Sequence, residues 1–109
     1  MPSAKFVVFS NSAAGRDDEF NRWYDNTHLR EVCDVPGVLG ATRYRVKSLG
    51  DAAPRHRYLA IYELDPADPE AALGRILERA GSGGFEMSDT LDPAVETLLV
   101  EELARSPAR

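Results

Sequence analysis

An α+β domain with the element order β-α-β-β-α-β is predicted by three features of the chain. Runs rich in β-branched and aromatic residues stand at 5–11, 38–49 and 55–64, and a further apolar run lies at 96–103. Between them lie two stretches, starting near Asp17 and near Asp68, whose apolar residues recur at three- and four-residue spacing. Clusters of Gly, Pro, Ser and Asp at 12–15, 36–37, 50–54, 65–66 and 81–84 punctuate the pieces.

The first strand contains Phe6-Val-Val-Phe9, apolar on both faces, which implies a sheet covered twice. Asp17, Asp18 and Glu19 place negative charge in a first helical turn, where the helix dipole favours it. Phe20, Trp23, Tyr24 and Thr27 then form one apolar helix face, with His28 at its edge. Asn26 or Thr27 can end this helix and cap a short second one that Pro36-Gly37 stops. Residues 38–49 alternate with period two: Val38, Gly40, Thr42, Tyr44 and Val46 share one face, and Leu39, Ala41, Arg43, Arg45 and Lys47 the other. In the third strand Tyr58, Ala60, Tyr62 and Leu64 oppose Leu59, Ile61 and Glu63. Asp68 caps a helix with Pro69 at its first position, a stripe of Ala72, Leu73, Ile76, Leu77 and Ala80, and a stop at Gly81. Residues 85–90 give no clear signal, and 96–103 read as a last strand, with a helix as the alternative.

This order is the split βαβ pattern of a ferredoxin-like fold, whose helices cover one face of a four-stranded antiparallel sheet. The other face would still carry Val7, Phe9, Leu39, Leu59 and Ile61. With no third helix to cover it, a second copy of the chain is the economical partner, so a homodimer through the sheet faces is expected.

A chain of 109 residues holds one hydrophobic core, so residues 1–109 read as a single domain, its core within 5–103 and its tail frayed. A net charge of −5 argues against a nucleic-acid partner. No apolar run approaches the ~20 residues that span a bilayer, and none near the start is long enough for a signal-peptide core. A lone Cys33, read as a small buried residue, allows no internal disulfide or zinc ribbon. A soluble, cytoplasmic protein is expected.

Chemistry points first to His28, one of two histidines in the chain. Neutral imidazole accepts and returns a proton near physiological pH without a cofactor. A satisfied polar residue at a helix end fits the same position. Asp25, three residues earlier, can orient the ring. Asp25, His28 and Glu31 spread over too wide an arc for a metal, and only His28 is a strong nitrogen ligand, so none is expected. Tyr44 and Tyr62, in phase with the helix-side face, stand near His28 in this reading, although buried tyrosines are more commonly core rings. Asn11 offers an amide at the end of the first strand or a turn. Arg43 belongs to a basic hairpin whose natural partners are Glu63, Glu101 and Glu102, with an anionic substrate group as the lesser reading. His56, between arginines, reads as exposed. The 81–84 glycines lack the Lys-Ser/Thr of a phosphate loop.

Phe20-Asn-Arg-Trp-Tyr-Asp-Asn-Thr-His28, then Val35-Pro-Gly37, Arg43-Tyr44 and Tyr58-Leu-Ala-Ile-Tyr-Glu63, resemble the dimeric α/β-barrel superfamily, in its EthD-like branch. The superfamily includes aromatic polyketide cyclases, muconolactone-type isomerases, quinol-forming monooxygenases and haem enzymes, several working without metal or organic cofactor. His28 matches the family histidine after the first helix. No second histidine stands in the pocket strands, which departs from the histidine-rich cyclases, and 68–81 holds no histidine for a haem. The resemblance implies a cofactor-independent enzyme cyclising or isomerising a small hydrophobic aromatic or polyketide-like carbonyl compound. His28 would remove the proton beside the carbonyl, Tyr44 or Tyr62 would hold the enolate, and Trp23, Tyr24, Asn11 and Arg43 would contact the substrate. The alternatives are a non-catalytic ligand-binding or accessory dimer and a cofactor-free monooxygenase.

Overall fold

The computed structural model describes residues 3–108; the first two residues and the last of the expected frayed tail lie outside it. The elements are β1 (Ala4–Ser10), α1 (Asp17–Trp23), a π-helical turn (Tyr24–His28), α2 (Leu29–Cys33), β2 (Val38–Arg45), β3 (Tyr58–Leu64), α3 (Pro69–Gly81) and β4 (Glu96–Glu101). The strands form one sheet in the order β2-β3-β1-β4 with every neighbour antiparallel. This is the α+β, ferredoxin-like arrangement that the sequence predicts, and residues 96–101 are strand rather than helix.

Local chemistry accounts for the helix ends. The Asp68 carboxylate accepts the Ala71 amide at 3.1 Å, and Pro69 follows where its missing N–H costs nothing. Gly37, at φ +96°, turns the chain into β2, and a Cβ there would stand 2.7 Å from that of Ala72. The Pro36-Gly37 turn therefore packs directly against α3. Between α1 and α2 there is no break. Asn26 and Thr27, expected as a stop and cap, lie inside the π turn, where the Leu29 amide donates to the Tyr24 carbonyl one residue further back than in an α-helix. One helical rod thus carries Phe20, Trp23, Tyr24, His28 and Val32 over the sheet.

Phe6 pairs with Tyr62 and Leu99, and Tyr58, Ala60 and Leu64 share that face under the helices, where the core lies. A bulge at the start of β2 alters the expected phase. Val38 pairs with Leu64, but the next pair joins Gly40 to Glu63, so one residue is extra. Beyond it every side chain swaps sides relative to an unbroken alternation. Arg43 pairs with Ala60 on the helix face, and Tyr44 pairs with Leu59 on the opposite one. His56 also departs from expectation: it is buried, with Nε2 3.2 Å from the Ala94 carbonyl and its ring against Phe9.

The segment between α3 and β4 has little regular structure but firm attachments. The Ala13 amide donates to the Thr90 carbonyl at 2.6 Å, and the Asp92 amide to the Asn11 carbonyl at 3.0 Å. It runs beside the end of β1 and over the helix side of the sheet. Among the described residues no helix is long and apolar enough to cross a membrane.

Candidate functional site

The helical rod, α3, the 82–95 segment and the helix face of the sheet line a partly open cavity of about 260 Å³. Phe6 and Val8 form its floor, Ile76, Leu77 and Ala80 come from α3, and Phe85, Met87, Leu91 and Val95 close it from the segment before β4. Within this apolar wall the polar side chains are His28, Tyr24, Tyr62, Ser10 and Thr97.

His28 is held by aromatic rings. Trp23 stacks on it at 4.9 Å, and Tyr24 and Phe85 meet it edge-on at 5.0 and 5.6 Å. Its Nδ1 is buried and makes no hydrogen bond with the described residues. Burial pushes the imidazole below its ordinary pKa; Glu31 opposes this and Arg43 adds to it. Burial thus favours the neutral form of the His28 ring. Asp25 does not touch it: its carboxylate accepts from Arg43 Nη1 at 2.7 Å.

The hydroxyls of Tyr24 and Tyr62 lie 3.1 Å apart in the buried interior. Burial pushes both phenols above their ordinary range, so both remain protonated donors. Trp23 Nε1 donates to the Glu86 carbonyl at 2.8 Å, and the Glu86 amide donates to the Glu31 carboxylate at 2.9 Å. These two bonds pin the covering segment to the helix that carries His28.

Of the residues singled out from sequence, His28, Tyr62, Trp23 and Tyr24 meet at this cavity. Tyr44 does not. It projects from the other face of the sheet, half exposed, because of the bulge. Asn11 does not line the cavity either: its amide donates to the Arg55 carbonyl at 3.0 Å and its oxygen accepts the Arg57 amide at 2.8 Å, which ties the end of β1 to the chain entering β3. Arg43 lies among the core aromatics beside the cavity, and its ion-pair partner is the helix residue Asp25 rather than a strand glutamate. Asp25 and Glu31 are thus both engaged away from His28, and no three potential ligands converge on a metal position among the described residues. Sequence reasoning missed the four covering residues, since Phe85, Met87, Leu91 and Val95 show no period; their apolar character beside a glycine-rich break is the only signal.

No protein-family model matches the sequence, and no curated protein does. Solved structures share its fold. An EthD (ethyl tert-butyl ether D) family protein of Bacillus halodurans aligns with a TM-score of 0.65 at 14% identity, over 93% of this chain and 99% of its own. A protein of Shewanella loihica, provisionally named a monooxygenase, gives 0.66 at 13% identity over 97% and 99%. MhuD of Mycobacterium tuberculosis, a heme-degrader solved with two hemes in its active site, gives 0.64 at 16% identity over 95% and 99%. At such identities the likeness is one of fold.

Proposed function

We propose that the protein binds a small, hydrophobic aromatic or polyketide-like carbonyl compound in this cavity and performs cofactor-independent acid–base chemistry on it, a cyclisation or isomerisation. The observation that carries this reading is His28: an imidazole that lines an apolar cavity beside a pair of tyrosine hydroxyls, with burial lowering its pKa and so favouring the neutral, basic form. His28 takes the proton from the carbon next to the carbonyl. The C–H electron pair moves into the enolate, whose oxygen a tyrosine hydroxyl binds, and the imidazolium returns the proton at the new position. Trp23, stacked on His28, fixes the plane of the base. A cavity of about 260 Å³ is small among ligand sites, which run from roughly 300 to 1,000 Å³, and so favours one or two rings over a larger ligand.

A monooxygenase reading has one support, the provisional name of the Shewanella loihica relative. There the same carbanion would react with dioxygen.

Deuterium exchange separates these readings. Aromatic ketones and β-diketones incubated with the protein in heavy water should exchange the α-proton, followed by NMR, and His28→Asn should slow this by about 10²-fold or more. Binding without exchange would leave a ligand-binding protein. Oxygen uptake would point to the monooxygenase.

A further inference from the structure

Arg43 is a largely buried cation against the cavity-lining Tyr24, and neither the fold nor the proposed chemistry explains its task. Its side chain is only 12% exposed. The guanidinium carbon lies 4.3 Å from the centre of the Tyr24 ring, with the Phe20 and Tyr58 rings at 5.5 and 5.4 Å. Nη1 donates to Asp25 at 2.7 Å and Nη2 to the Asn21 side-chain oxygen at 3.0 Å, while Nε is buried and makes no hydrogen bond with the described residues. Arg43 does not reach the cavity wall, whereas Tyr24 does. A cation buried among aromatic rings costs desolvation, and an apolar side chain of similar volume would commonly serve stability as well.

We propose that Arg43 is a positioning residue that polarises Tyr24, so that Tyr24 accepts the Tyr62 hydroxyl and turns its own proton toward the oxygen of the bound compound. A cation over a phenol ring favours negative charge on that phenol's oxygen. A phenol whose anion is stabilised is the stronger acid, so of two hydroxyls 3.1 Å apart Tyr24 is the better donor to a developing enolate oxygen. A hydroxyl has one proton to give. With the Tyr24 proton directed at the ligand, the Tyr24 oxygen is left to accept a hydrogen bond from Tyr62. The donor to the developing enolate is then Tyr24, with Tyr62 supporting it from behind, which reverses the roles expected from sequence. The inference rests on the small-molecule reading of the cavity for its last step only.

Besides Cys33 near Tyr62 and Tyr58 against Arg43, the charged and titratable groups around this unit are these. Tyr24 meets Tyr62, Arg43 and His28; Arg43 meets Asp25; His28 meets Glu31 and Arg43. The test uses ligand-free protein with a fluorinated tyrosine incorporated at position 24, which brings phenol ionisation into the range where folded proteins survive, and follows it by fluorine NMR. Arg43→Met should raise the Tyr24 pKa by about one pH unit, and Arg43→Lys should restore most of it. Asp25→Asn removes the countercharge and leaves the cation in place, so it should lower the Tyr24 pKa. It serves as the independent arm if Arg43→Met does not fold. Tyr62→Phe should raise the Tyr24 pKa by removing its donor. An unmoved Tyr24 in both Arg43→Met and Asp25→Asn, or a lower Tyr24 pKa in Tyr62→Phe, would overturn the assignment. No ligand enters the measurement, so failure of the exchange assay and failure of this inference are separate results.

Discussion

Charging His28 removes an imidazolium from water into a cage of Trp23, Tyr24 and Phe85, with Arg43 adding like charge. Its folded pKa therefore lies below the ordinary 6.5. As pH falls, the unfolded chain binds this proton first. The contribution of His28 to stability is full above the ordinary pKa and is lost as pH falls through the folded one. Urea midpoints should accordingly decline as pH falls below the ordinary 6.5, and His28→Gln, uncharged in both states, should flatten that slope. An unchanged slope would mean that His28 ionises alike in both states. His28 was readable from sequence because its neighbours lie close along one helix, where spacing and space coincide. Arg43 and Tyr44 were not. Their faces follow from a strand alternation that one extra residue inverts, and the only local hint of that bulge is Gly40 inside the strand.

The helical rod and the 82–95 segment form the two walls that hold His28, and they differ in how they are specified. The rod has its own signals: acidic first turn, apolar stripe, Pro-Gly stop. What spacing did not reveal is the π turn, because a widened turn keeps the same residues in the same order. The covering segment takes its shape from tertiary bonds, above all those of Glu86 to Trp23 and Glu31, so local sequence carries little of it. The helical rod thus acts as a clasp for its own cover. Glu31→Ala removes a charged acceptor from the Glu86 amide, and hydrogen exchange at that amide should quicken by about tenfold. Exchange within β1 and β3 should stay as it was, since neither strand depends on the clasp. Equal acceleration throughout would indicate global destabilisation instead of a released cover. Trp23→Phe tests the other bond and should open the same segment while keeping an aromatic ring against His28.

At the scale of the molecule, the protein is a slab 42 × 41 × 20 Å, the thickness of one helix layer on one sheet. Among the described residues every helix lies on the same side, so no helix covers the far face of the sheet. That face carries Val7, Phe9, Leu59 and Ile61, with Tyr44, Leu98 and Val100 each more than two-fifths exposed. The sequence expectation of apolar residues on both faces of the central strands therefore meets an arrangement that satisfies only one of them. Tyr44, removed from the cavity by the bulge, gains a different place here: a large aromatic at an open sheet face is the side chain that association buries most profitably. A homodimer through this face should show in light scattering as about twice the 12.0 kDa chain mass at micromolar concentration. Leu98→Asp puts a carboxylate at the middle of β4 on that face, where burial without a partner costs several kcal/mol. It should give a monomer whose circular dichroism matches the wild type, because Leu98 takes no part in the core beneath the helices. A wild-type mass near that of a single chain would leave the apolar face without a self-partner. Monomeric Leu98→Asp protein that still exchanges substrate protons would show that the cavity, which lies wholly on the helix side, works without the second copy.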